Sequence, residues 1–251
     1  MLFNPRRLFT YAAVLSFFSQ TLAVPYLGIT HDFGQGPAAD VQSYSGVIEF
    51  SDITDTDPAG GPLYPPTTMT NPQFVNLVKV AYNEMVAKYR SENHPNDDNL
   101  PGAMIGLASG KKIYFASSIK VVQARRFYEA DSKIIEYFDS CLFVGIGSHR
   151  TGGACGEPSV LDLWYRENNA DPPTGSVVIR NPRIAAWLRF PYTDVGTERN
   201  YKPCSRNNNG YGCEELVRDK GLDAVFDVQP VTNGEDDWTF VTRNLRQSCN
   251  H

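Results

Sequence analysis

From residue 71 onward the apolar residues repeatedly change their spacing, and this alternation constrains the fold more than any other feature. Phe74, Leu77, Val78, Ala81, Met85 and Val86 recur at three- and four-residue steps, which predicts a helix running to about Arg90. Ala103 to Ala108 and Lys112 to Ser117 flank Ser109-Gly110-Lys111, the pattern of two strands around a tight turn. Val121 to Phe138 reads as a helix and Cys141 to Ile146 as a buried strand. Gly152-Gly153-Ala154-Cys155-Gly156-Glu157-Pro158 is a glycine loop opening a helix, because proline suits a first turn whose N–H groups lack partners. Val160, Leu161, Trp164 and Tyr165 mark that helix's buried face. Ser176 to Ile179 reads as a strand, and Ala185 to Phe190 fits either helix or strand. Pro203-Cys204 opens a polar loop ending at Cys213, followed by a helix, Glu214 to Lys220, and a strand, Ala224 to Val228. Helices alternating with strands predict one α/β domain over 71–251. Residues 24–70 are rich in Gly, Pro, Asp, Ser and Thr around one strand-like patch, Tyr44 to Phe50, and read as an extension or covering arm.

The first 23 residues set the expected compartment. Arg6 and Arg7 precede an apolar run, Leu8 to Phe18, and then Thr21-Leu22-Ala23, the layout of a secretory signal peptide cut after Ala23. The run is short of the roughly 20 residues a membrane span needs. The expectation is a secreted, extracellular protein with no membrane span. A net charge of −5 gives no strong nucleic-acid-binding signal and argues against a dedicated binder of anionic membranes. The basic residues Lys111, Lys112, Lys120, Arg125, Arg126 and Lys133 read as a solvated face or as phosphate contacts near a site. Trp164 and Trp187 read as core.

Five cysteines, Cys141, Cys155, Cys204, Cys213 and Cys249, are an odd count for a secreted chain, so at least one has a task other than internal pairing. Cys155 starts one predicted helix, and Cys204 with Cys213 starts another. Zinc accepts thiolates readily, and a catalytic zinc uses three protein ligands with water in the fourth position. A helix N-terminus offsets the negative charge that three thiolates bring. Glu157, two residues after Cys155, is then placed to touch the water without binding the metal, as hydrolysis at an amidine-like carbon requires.

These residues resemble the cytidine deaminase-like superfamily, whose motif is His/Cys-x-Glu followed later by Pro-Cys-x-x-Cys. The element order from about 71 to 230 is similar to that family's: an opening helix, a strand-turn-strand, the motif helix, a strand, the Pro-Cys helix and another strand. The resemblance implies a three-layer fold, a mixed central sheet with helices on both faces. It implies Cys155, Cys204 and Cys213 as ligands of Zn2+ and Glu157 as the proton shuttle. The substrate would carry a nucleobase-type amino group, on a small molecule or on a nucleic-acid base. Cys141 and Cys249 would then be left to form a disulfide.

The second motif departs from the family by placing eight residues, Ser205 to Gly212, between its cysteines. Thiolates on one zinc lie about 4 Å apart, so these residues must loop out and return. Two other readings stay open. A Cys204–Cys213 disulfide would make the chain a disulfide-stabilised secreted binding or effector protein without catalysis. Cys155 with His149 as its base would make a cysteine-nucleophile hydrolase.

Overall fold

The computed structural model describes residues 26–32, 42–50, 55–56, 62–63, 69–92, 94, 97–120, 124–143, 146–173, 182–189, 198–207, 210–231 and 240–243. The expected signal peptide, the strand at Ser176 to Ile179 and Cys249 lie outside them. Among the described residues the chain is mixed α/β, with four α-helices and an eight-stranded sheet.

In chain order the elements begin with β1 (Thr30–His31) and β2 (Tyr44–Phe50), then a separate two-stranded ribbon of β3 (Asp55–Thr56) and β4 (Pro62–Leu63). Helix α1 (Asn71–Ser91) precedes the hairpin β5 (Ala103–Ser109) and β6 (Lys112–Ser117). Helices α2 (Lys133–Phe143) and α3 (Gly156–Asn168) follow. Strands β7 (Arg183–Arg189) and β8 (Glu198–Tyr201), helix α4 (Cys213–Asp219), and strands β9 (Asp223–Val225) and β10 (Phe240–Arg243) complete the set.

The sheet runs β2-β6-β5-β7 through its centre, all antiparallel neighbours. Each outer edge carries two short strands end to end. On β2, β1 takes Tyr44 and Ser45 while β10 takes Val47 to Phe50. On β7, β9 pairs in parallel with Arg183 to Ala185, and β8 pairs antiparallel with Ala186 to Arg189. The patch at Tyr44 to Phe50 is thus an interior strand, registered on β6 from Ser45↔Ala116 to Glu49↔Lys112.

Alternation along β5 feeds two cores. Ala103, Ile105 and Leu107 face α2, α3 and α4, packing with Phe138, Val160, Leu161 and Leu216. Met104 and Ala108 face α1, packing with Phe74, Val78, Ala81 and Met85. Each large apolar side chain buried there contributes about 1.5–3 kcal/mol relative to exposure. Helix α1 starts at Thr70, whose hydroxyl accepts from the Gln73 N–H while the Gln73 side chain accepts from the Thr70 N–H. Trp164 and Trp187 are both core residues. Lys111 and Lys112 form ion pairs with the buried Glu49, and Lys112 also pairs with the partly buried Glu167.

Two expectations are corrected. Val121 to Phe138 is not one helix: Ala124–Phe127 is a single 3₁₀ turn, and α2 begins at Lys133 after Ser132, whose hydroxyl accepts from the Ile135 N–H. The expected strand Cys141 to Ile146 starts in a helix: Cys141 to Phe143 are the last residues of α2, and residues 144–145 lie outside the described ones. Cys141 continues the buried stripe of α2 after Ile134 and Phe138, while Leu142 and Phe143 project into solvent. A short apolar run carries no periodicity that separates the two states, and here the helical phase set by Ile134 extends into it. The ambiguous segment Ala185 to Phe190 is a strand, β7, as far as Arg189.

Candidate metal centre

Three segments converge at one end of the sheet. Cys155 is the N-cap residue of α3 (φ −68°, ψ 154°) and makes no side-chain cap bond, which leaves its thiol to face outward from the helix start. Gly156 allows α3 to begin directly on the hairpin, because a Cβ there would lie 2.1 Å from Ile105 Cδ1 and 3.1 Å from the Ala116 carbonyl. Glu157 is consequently buried, at 6% exposure, in the first turn. Its side chain borders a narrow gap lined by Ile105, Ile184, Ala186, Tyr201, Pro203 and Val225.

The second segment follows β8. Cys204 accepts the Cys213 N–H at its Sγ (3.3 Å), and its carbonyl accepts the Glu214 N–H (3.0 Å), so it caps the start of α4. The described residues between them, 205–207 and 210–212, lead away from Cys204 and back to Cys213. Asn207 and Gly210 exchange backbone hydrogen bonds, and the Tyr211 carbonyl accepts the Arg150 N–H.

The third segment is the loop 146–154. The Gly153 carbonyl accepts from the buried Tyr128 hydroxyl (2.7 Å), which ties this loop to the core. His149 is buried against Phe138 and Tyr211, its ring centroid 5.1 Å from that of Tyr211 in an edge-on contact.

Cys155 Sγ lies 3.7 Å from Cys204 Sγ. His149 Nε2 lies 3.4 Å from Cys213 Sγ. The donor atoms of His149, Cys155 and Cys213 all fall within 4.8 Å of one another, a group that could hold a metal ion. Tetrahedral zinc with Zn–S near 2.3 Å separates two sulfurs by about 3.8 Å, so the sulfur spacing and the soft donor set both fit that metal.

The electrostatics follow from burial and from thiol–thiol hydrogen bonds. Cys204 is held well below the usual thiol range, first by donation from Cys155 and then from Cys213. Cys155, as that donor, and Cys213, by its burial, are pushed well above it. Burial, and then the charge of Cys204, pushes the Glu157 carboxyl up to about 7. Burial lowers the His149 imidazole below its ordinary value.

All four sequence-predicted residues, Cys155, Glu157, Cys204 and Cys213, meet at this site. Cys155, Cys204 and Cys213 are free thiols, and so is Cys141, buried on α2. Its expected disulfide partner, Cys249, lies outside the described residues. His149 was legible in the sequence only as a base for Cys155, but its ring nitrogens bond Thr151, Gly153 and Cys213. Thr151 was not legible at all, and its hydroxyl sits 3.1 Å from Cys155 Sγ. No helix among the described residues is long and apolar enough to cross a membrane. No protein-family model, curated protein or solved structure matches this chain.

Proposed function

We propose that this protein is a secreted, zinc-dependent hydrolytic deaminase acting on a nucleobase-type amino group. One observation carries the reading: Glu157 is buried in the turn that begins at Cys155, beside the His149, Cys155 and Cys213 donor group and the neighbouring Cys204, without being one of the metal-donor residues. The element order supports it, since hairpin, motif helix, strand, cysteine helix and strand occur in the sequence of the family that the chain resembles, with α2 inserted before the motif helix and β8 before the cysteine helix.

Cys155, Cys204 and Cys213 would hold the metal. Zinc supplies Lewis acidity that makes water nucleophilic near neutral pH. Glu157 takes a proton from the attacking water as its oxygen bonds the amino-bearing ring carbon. The same carboxyl gives that proton to the ring nitrogen, then takes the remaining hydroxyl proton and gives it to the departing amine, so that water is consumed and ammonia leaves as a carbonyl forms. A carboxyl raised to about 7 is matched to both halves of that exchange near neutral pH.

A second reading draws on His149, whose Nε2 stands among the thiols. Four protein donors would close the site and leave a purely structural metal. Metal analysis and ammonia release separate the two. The purified chain should carry one zinc and release ammonia from at least one of a panel of cytosine-, adenine- and guanine-containing compounds. Glu157→Gln should keep the zinc and lose activity by about 10²–10⁴-fold. A Glu157→Gln chain as active as the parent on that compound removes the mechanism. Zinc without activity on any panel member supports the closed structural site.

A further inference from the structure

We infer that His149 is not a metal ligand but the hydrogen-bond donor that holds the Cys213 sulfur from outside the coordination shell. The inference rests on reading Cys155, Cys204 and Cys213 as the ligands, a three-residue set that would leave the fourth position of a bound zinc to water.

The argument turns on which ring nitrogen carries the proton. His149 Nδ1 faces two backbone amides, the N–H of Thr151 and the N–H of Gly153, each at 3.4 Å. An amide N–H only donates, so Nδ1 must present a lone pair to them. The Thr151 hydroxyl adds a third neighbour at 3.0 Å. A neutral imidazole has one N–H, which therefore sits on Nε2. Nε2 points at Cys213 Sγ, 3.4 Å away, as a donor to sulfur would.

A protonated Nε2 has no lone pair for a metal, and the lone pair of Nδ1 is aimed into the loop. To ligate through Nε2, the ring would have to move its proton to Nδ1 and turn it toward both amide N–H groups. The ring cannot swing away from them, because Phe138 and Tyr211 enclose it and the Tyr211 carbonyl holds the Arg150 N–H next to it. The loop 146–154 thus surrounds Nδ1 with N–H donors, so Nδ1 accepts and Nε2 is left as the donor that faces Cys213.

Cys204 makes a nitrogen ligand unnecessary. Its sulfur stands 3.7 Å from that of Cys155, a zinc-like spacing for that pair, and accepts the Cys213 N–H at 3.3 Å. An N–H directed at one thiolate draws off part of the excess negative charge of three, and partners of this kind orient the ligands they touch.

The test is a nuclear magnetic resonance measurement on the ¹⁵N-labelled full chain, metal-free and with ¹¹³Cd2+ in place of zinc. Long-range ¹H–¹⁵N correlation should show the Nε2–H tautomer of His149 in both states, and no cadmium–nitrogen splitting. A cadmium coupling to His149, or an Nδ1–H tautomer, overturns the inference. If cadmium does not bind, the zinc reading falls and takes the coordination part of the inference with it, while the tautomer of the metal-free chain separately shows whether Nε2 donates to Cys213. In parallel, His149→Ala should still bind one metal per chain, about 10–100-fold more weakly. His149→Gln, which keeps an N–H donor, should recover part of that loss. A folded His149→Ala chain that binds no metal also overturns the inference.

Discussion

Gly212 packs so closely on Cys204 that a Cβ on Gly212 would stand 2.0 Å from the Cys204 carbonyl oxygen. The same carbonyl accepts the Glu214 N–H at 3.0 Å, so the contact cannot open without loosening the start of α4. The loop between the two cysteines returns to the cluster only because this position has no side chain.

Gly212→Ala should therefore displace Cys204, cost about 1–3 kcal/mol as an overpacked site, and weaken metal binding. Gly102→Ala is the matched control, since the nearest atom to its added Cβ would be 4.0 Å away. Metal content and urea denaturation of both variants check this. Equal metal content in the two variants would show that the close contact does not position Cys204.

Cys204→Ala should lose the metal and lower the melting temperature, because metal binding and folding are coupled. A chelator should move the parent protein toward the same melting temperature and leave the variant unchanged. Elemental analysis with thermal denaturation, run with and without chelator, reads both effects. A variant that keeps one zinc per chain would remove Cys204 from the ligand set.

Asn200 closes the junction where β8 and β9 meet on β7. Its side-chain amide donates to the Ala186 and Val225 carbonyls at 3.0 and 3.1 Å, and its oxygen accepts the Val228 N–H at 3.0 Å. Asn200→Ala strands buried backbone groups and should cost about 1–3 kcal/mol. Asn200→Asp should be no better, since a carboxylate cannot donate to two carbonyls. Urea midpoints decide it, and an Asp variant as stable as the parent would refute the clamp.

Glu84 supplies a pH dependence whose sign can be worked out. Its two oxygens accept the Leu27 and Ile29 N–H groups at 2.8 and 2.7 Å, pinning the N-terminal segment to α1. Burial nevertheless outweighs these bonds and raises the carboxyl above its ordinary range. A folded value above the unfolded one means that its stabilising contribution is complete below the unfolded value. That contribution is lost as pH rises through the folded value. The stability difference between the parent and Glu84→Gln should accordingly shift against the parent as pH rises across the carboxylate range, and then level off. Urea denaturation at a series of pH values measures it. A difference that moves in the parent's favour with rising pH would mean that the backbone N–H groups dominate over burial.

What the sequence by itself determined was local. The three- and four-residue spacing of Phe74 to Val86 is a helix because one face repeats every turn. Ser109-Gly110-Lys111 is a turn, with Gly110 at φ +57°, a backbone region that glycine enters without strain. Cys155-Gly156-Glu157 starts a helix, and Glu157 is buried as that placement requires. Each of these is settled by residues within about two turns of one another.

Tertiary structure alone decided the rest. Cys141 to Phe143, read as the start of a strand, belong to α2 because they continue its phase. Tyr44 to Phe50 became an interior strand only through its pairing with β6 across the sheet. Cys155 and Cys204 stand 49 positions apart in the chain, and His149 and Cys213 stand 64 apart, so neither approach is written in any local pattern. The role of His149 was beyond sequence for a sharper reason. It depends on which way two backbone N–H groups point, and backbone direction in a loop is set by packing against Tyr128, Phe138 and Tyr211, not by residue type.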